Sequence, residues 1–203
     1  MRRGDASVVA FLLLAPLFPV QALAGAQVYE PLAASVRSTL SAAISDRGPV
    51  ALHFARPEDA HRWLFEMSNR LAKKLPDRTL RLQLLKSIHY EATRAGLDPQ
   101  LVLGVIEVES GFRKYAVSRA GARGYMQVMP FWVKTIGRPT DNLFHLRTNL
   151  RFGCVILRHY LDIEKGDYFR ALGRYNGSLG KAAYPNRVMT MWKGRWHYDG
   201  PTA

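Results

Sequence analysis

An all-α fold is what this sequence predicts, and three observations carry the prediction. From residue 57 onward, apolar residues recur at helical spacing. The breaks between these runs carry helix start and stop chemistry: Pro57-Glu58-Asp59, Pro76, Gly96 and Asp98-Pro99. No stretch shows a convincing alternation of apolar and polar residues, and no internal repeat is evident.

Taken in order, residues 1–24 have the pattern of a secretory signal. Arg2 and Arg3 open it, Val8 to Val20 is apolar, and Ala22-Leu23-Ala24 offers small residues for cleavage after Ala24. The apolar run is shorter than the roughly 20 residues that span a bilayer, and Pro16 and Pro19 interrupt it. No cysteine lies near the cut to carry a lipid, so no stable membrane anchor is expected. Residues 25–56 form an N-terminal extension of low information, rich in Ala, Ser and Val, with a short helix over Val36 to Ile44. A helical domain spans 57–203. Trp63, Leu64, Met67, Leu71 and Leu75 mark its first helix and Leu80, Leu84, Leu85, Ile88 and Ala92 its second. Asp98 caps a third, with Pro99 at its first position, running to about Glu109. Further helices are expected near 130–137, 147–163, 167–175 and 184–192, with long loops over 111–129 and 176–183.

The net charge of +13 falls by only one if Arg2, Arg3 and Asp5 are removed with the signal. An anionic partner is implied, and export argues against nucleic acid, for which the chain also lacks a recognised motif. An exported polymer with carboxylates on its peptide stems suits both charge and compartment. Cys154 is the one cysteine, so no intramolecular disulfide can form, and its apolar helical context suits a buried thiol. The six histidines show no zinc spacing. No metal and no cofactor is expected.

Val102, Val105, Ile106 and Glu109 follow i, i+3, i+4 and i+7, which puts Glu109 on the apolar stripe of its helix. Glu107 lies about 200° around the helix and reads as a solvated acid. Burial of a carboxyl raises its pKa, and a carboxyl protonated near neutral pH can donate to a leaving oxygen. Such a glutamate can equally be a structural one, bonded to a backbone amide.

Several motifs follow in order around it. Glu109-Ser110-Gly111-Phe112 comes first, then Ala116-Val117-Ser118 through Gly121-Ala122-Arg123-Gly124, then Tyr125-Met126-Gln127 with Met129-Pro130. Asn149-Leu150 with Gly153, and Tyr175-Asn176-Gly177, complete the set. The segment from about 82 to 192 resembles the soluble lytic transglycosylase family, which has a goose-lysozyme-like fold with a substrate cleft. Tyr125 stands where the family has leucine, Tyr175-Asn176-Gly177-Ser178 lacks the usual alanine, and Phe131-Trp132-Val133-Lys134 departs from the usual opening after Met-Pro.

The resemblance implies non-hydrolytic cleavage of the MurNAc-β-1,4-GlcNAc bond of peptidoglycan, leaving 1,6-anhydro-MurNAc ends. It makes Glu109 the acid and then the base, with Tyr175 hydrogen-bonded to it. It puts Ser118 beside the reacting sugar, Gln127 and Asn176 on the glycan, and Met126 in the cleft lining. The same side chains also suit a core tyrosine and polar groups that cap their own loop. Phe112, Tyr115, Tyr125 and Trp132 are either sugar platforms or core. The implied partners are glycan strands and an unspecified cell-envelope machine, and the implied compartment is the periplasm. Two other activities fit the same residues: a hydrolytic lysozyme, with a second acid such as Asp141, and a peptidoglycan-binding module without turnover.

Overall fold

The structure is a computed structural model that describes residues 27–46 and 48–201. The signal sequence expected over 1–24 lies outside the described residues. Among them are eight α-helices and no strand, only isolated bridges, so the all-α class is borne out. The helices are α1 (Ala34–Ser45), α2 (Pro57–Leu71), α3 (Arg78–Arg94), α4 (Pro99–Ser110), α5 (Phe131–Ile136), α6 (Leu146–Ile163), α7 (Tyr168–Asn176) and α8 (Ala183–Thr190). A π-helical turn over Met191–Arg195 continues α8. No described helix is long and apolar enough to cross a membrane.

Local chemistry sets the helix starts. Asp77, Asp98 and Asp167 cap α3, α4 and α7, their carboxylates accepting from the backbone N–H groups of Leu80, Gln100 and Arg170. Pro57 and Pro99 occupy first-turn positions, where a missing N–H costs nothing. Gly111 and Gly177 end α4 and α7 in the left-handed region, at φ of 58° and 73°.

Helix α4 is the centre of the fold. Every one of its residues except Glu107 is buried. It packs against α3 on one side and against α8 with its π-turn on another. Gly104 makes the second contact close: a Cβ there would sit 3.3 Å from the Val188 carbonyl oxygen and from the Trp192 nitrogen. Cys154 is buried in the core cluster, as expected of it, and its thiol pKa is pushed well up by burial.

Glu107 departs from expectation. It faces away from Glu109 but is not solvated. Trp196 donates its indole N–H to it at 2.7 Å, and Lys74 and Arg195 lie 3.3 and 3.5 Å from its carboxylate. The carboxylate ties the chain's end to the central helix.

The N-terminal extension also carries more structure than its composition implies. Helix α1 packs on α5 and α6, with Leu40 and Ile44 in the core. Its carboxyl-terminal end lies on arginines: Arg94 donates to the Ala43 carbonyl (2.9 Å) and Arg151 to that of Ile44 (3.3 Å). Arg147 donates to the Gly48 carbonyl at 2.7 Å. Unpaired carbonyls and the negative end of a helix dipole both favour cations there. Glu91, fully buried on α3, holds the same three arginines, at 3.2 Å (Arg94), 3.6 Å (Arg147) and 3.1 Å (Arg151).

Removing the Glu91 charge takes the paired carboxylate from the buried Arg151 guanidinium. We expect Glu91→Gln to lower unfolding free energy by about 3–5 kcal/mol, the usual cost of breaking a buried pair. Urea denaturation checks this, and a loss under about 1 kcal/mol would contradict the role given to Glu91.

Candidate active site

Glu109 sits in the last turn of α4, 6% exposed. Its carboxyl faces α7 and α8. The amide of Asn176, the last residue of α7, and the hydroxyl of Tyr184, in the first turn of α8, both bear on it. Neither Asn176 Nδ2 nor the Tyr184 oxygen completes a hydrogen bond, although both are buried. Arg187, exposed one turn beyond Tyr184, adds a more distant positive charge. Burial outweighs all three and pushes the Glu109 pKa from an ordinary 4.5 up to about 7. No second carboxylate is among the groups that act most on it.

The loop after α4 is a miniature β arrangement. Val117 bridges to Arg123, and Arg123 to Val128. Arg123 and Val128 exchange two backbone hydrogen bonds of 3.0 Å. The amide of Asn149, on α6, clamps this loop. Its oxygen accepts from Met126 N (2.8 Å), and its Nδ2 donates to the carbonyls of Arg123 (2.8 Å) and Leu143 (2.9 Å). Gly124, at φ 76°, lets the clamp close: a Cβ there would lie 2.4 Å from Asn149 Nδ2. One turn along α6, Gly153 makes room for Met126 in the same way.

The expected site residues fall into two groups. Glu109 and Asn176 come together. Tyr175 is fully buried, but its hydroxyl donates to the Met126 carbonyl at 2.7 Å and not to Glu109. Burial, and after it the Glu109 charge, holds its pKa well up. The hydroxyl that acts on Glu109 is instead that of Tyr184, and the physical reason is the close approach of α4 and α8 at Gly104. Sequence reading missed Tyr184. The available signal was that glycine, set in an otherwise apolar helix.

Ser118, Met126 and Gln127 lie on the clamped loop. Ser118 Oγ accepts from Ala122 N at 3.1 Å. Met126 is fully buried against α6. Gln127 Nε2 donates to the carbonyls of Ala116 (3.1 Å) and Gly124 (2.9 Å), and its backbone takes a positive φ of 49°. Loop capping is thus part of what Ser118 and Gln127 do. Of the four aromatic residues, Phe112, Tyr125 and Trp132 are core, while Tyr115 is 70% exposed beside Phe144. Asp141 accepts from Arg138 N at 2.9 Å and caps its own turn.

Fold and site together define an all-helical domain whose central helix ends in a buried acid that no cation touches, with a clamped loop at its side. The chain belongs to the transglycosylase SLT domain family, whose model matches residues 86–191, just over half of its length. Among relatives, a transglycosylase of Enterobacteria phage PRD1 is 35% identical over 115 residues, covering 53% of this chain and 42% of that protein. The membrane-bound lytic murein transglycosylase C of Histophilus somni (strain 2336) is 48% identical over 112 residues, 47% of this chain and 31% of the relative. That of Actinobacillus pleuropneumoniae serotype 5b (strain L20) is 50% identical over 56 residues, 28% of this chain and 14% of the relative. The chain therefore spans less than half the length of each. Among solved structures, the 70 kDa soluble lytic transglycosylase of Escherichia coli matches 79% of this chain and 27% of its own, with 20% identity and a TM-score of 0.41. An inactive mutant of lytic transglycosylase Slt from Pseudomonas aeruginosa matches 87% and 35%, with 21% identity and a TM-score of 0.42.

A raised carboxyl pKa links stability to pH. Between pH 4.5 and 7 the unfolded chain has lost a proton that folded Glu109 still holds. The fold therefore weakens as pH rises through this window, by up to about 3 kcal/mol, and the loss is constant above it. Glu109→Gln keeps the shape and removes the charge. We expect it to stabilise the protein at pH 8 and to leave it nearly unchanged at pH 4.5, read as urea midpoints. Equal effects at the two pH values would contradict the raised pKa.

Proposed function

We propose that this protein is an exported peptidoglycan lytic transglycosylase, cleaving the MurNAc-β-1,4-GlcNAc bond without water. The observation that carries this reading is Glu109, a single buried carboxyl with a pKa near 7 and no second acid beside it. Family membership supports the reaction class.

Most glycosidases set two carboxylates about the scissile bond, and substrate-assisted enzymes are the exception. One acid can serve when the substrate supplies the rest. Near neutral pH, much of Glu109 is protonated and gives its proton to the leaving glycosidic oxygen as the C1–O bond breaks. The substrate's own N-acetyl group stabilises the anomeric centre. The C6 hydroxyl then attacks C1, and its proton returns to the Glu109 carboxylate. The acid is regenerated, a 1,6-anhydro end is formed, and no water is consumed.

The neighbours suit these steps. Asn176 and Tyr184 have unspent donors facing the carboxyl, ready to hold the carboxylate form midway. Ser118 accepts one loop bond and keeps its hydroxyl proton for the sugar. With Gln127 Nε2 bound to the loop, its Oε1 is the atom left to meet a glycan hydroxyl. Tyr175 acts at one remove, through the Met126 carbonyl. The basic chain suits an anionic wall polymer, and the secretory pattern over 1–24 suits a periplasmic site of action.

Digestion of purified sacculi tests this. We expect soluble muropeptides with anhydro ends, lighter by one water than hydrolysis products. Glu109→Gln should lower the rate at least about a hundredfold, the lower bound for losing a general acid, while the protein stays folded. kcat/KM should fall as pH rises through about 7, where Glu109 loses its proton. Reducing-end products would mean a lysozyme, and binding without release would mean a glycan-binding module.

A further inference from the structure

The site has one more contributor, and it comes from outside the segment that the family model covers. In the strap over residues 27–32, Val28, Tyr29 and Glu30 are exposed, yet Gln27 is 4% exposed. Its side chain is turned inward. Oε1 accepts from the backbone N–H of Met129 at 3.2 Å, across 102 residues of sequence. Nε2 is buried and completes no hydrogen bond, and the Gln27 side chain bears on the Tyr175 hydroxyl. Buried amides without partners are rare and call for an explanation.

Three further contacts hold the strap in register. The Tyr29 ring packs edge-on against Phe131, with centroids 5.5 Å apart. Glu30 pairs with Arg174, the residue before Tyr175, at 3.1 Å. Leu32 packs on the core. Gln27 is therefore delivered between the Met129-Pro130 turn and α7 by a segment anchored on both α5 and α7.

We propose that Gln27 is a positioning residue of this site, holding the Tyr175 hydroxyl on the Met126 carbonyl; its effect on turnover rests on the glycan-cleaving reading above. A tyrosine hydroxyl gives one proton and accepts at its lone pairs. The Tyr175 proton goes to Met126. The unspent Nε2 hydrogens of Gln27, close to the same oxygen, bias the hydroxyl in that direction. Asn149 already holds Met126 N. The Met126 backbone is thereby held at both its N–H and its C=O, one residue before Gln127 takes its positive φ. The strap thus sets where the Gln127 carbonyl meets the substrate.

Two variants separate positioning from simple packing. Gln27→Glu keeps the acceptor for Met129 N but replaces the donor facing Tyr175 with a second acceptor. The Tyr175 proton is then drawn away from Met126. Gln27→Ala removes both contacts. The Tyr175 Cζ resonance, followed by NMR in tyrosine-labelled protein and assigned with Tyr175→Phe, reads the hydroxyl's hydrogen bond without turnover. Sacculus digestion gives kcat and KM. We expect the resonance to move in both variants. We expect kcat to fall about tenfold, the scale of one hydrogen bond, with KM within about twofold; the thermal midpoint falls more in Gln27→Glu, where a carboxyl is buried, than in Gln27→Ala. An unmoved Tyr175 resonance in Gln27→Glu, with parental kcat, would overturn the proposal. A moved resonance in a protein whose parent has no lytic activity would uphold the positioning and overturn the glycan reading alone.

Discussion

Helix α4 has no free side, and the site follows from that constraint. A helix enclosed by α3, α8 and the loop after it leaves its last turn little water. A carboxyl at Glu109 is then deprived of hydration by the packing itself, and its proton is held to about pH 7. Glu107, two residues earlier on the same helix, shows the contrast. It reaches the outer side, where Trp196, Lys74 and Arg195 meet its charge. Two adjacent acids on one helix are thus given opposite tasks by their direction. One is a structural anion with partners. The other is left without a cation in contact, so that its proton stays available.

Asn149 plays the matching part for the loop. A loop proposed to meet a substrate cannot be fixed by burying its face. It is fixed from behind, by two hydrogen bonds with one amide on a rigid helix, while a third ties that amide to Leu143. Two glycines permit this, Gly124 by admitting the amide and Gly153 by admitting Met126. The positive φ at Gln127 is held by its own side chain, which bonds two loop carbonyls. Strain of this kind persists where the surroundings over-determine a residue, and such places are characteristically functional. Glu109 and this loop thus belong to different elements, α4 and the 111–129 segment, joined only by the left-handed turn at Gly111 and Phe112.

The helices were legible in the sequence because their signals are local. Asp98-Pro99 marks a helix start, Gly111 its end, and the apolar stripe between them places Glu109 inward. The motif set was legible as well, since it is contiguous or nearly so. The partners across the fold were not. Tyr184 meets Glu109 because two helices cross at Gly104, and no spacing within the chain encodes that crossing. Tyr175 faces the Met126 carbonyl for the same kind of reason. Glu91 sits in an ordinary amphipathic run, and only three-dimensional proximity gathers Arg94, Arg147 and Arg151 around it. The low information of residues 25–56 was compositional. Its contacts run to residues 51 and as many as 144 positions away, where composition has nothing to say.

The extension bears on what the family segment can do alone. The segment over 86–191 contains Glu109, Asn149, Tyr175 and Tyr184, yet two of its supports come from earlier in the chain. Helix α1 covers arginines that would otherwise share a single buried carboxylate, and it offers them carbonyl oxygens in return. The strap before α1 supplies the buried amide beside Tyr175. Uncovering the arginine cluster chiefly costs stability, because solvent can hydrate freed guanidinium groups only after the helix has left. Uncovering Tyr175 has a different consequence. Its hydroxyl would still find the Met126 carbonyl, but water in place of Gln27 would offer it a choice of partners. A preorganised site depends on there being one arrangement and not several. Under the proposal above, the Gln27 amide at that oxygen removes the choice, and a segment remote from Glu109 would thereby set the rate.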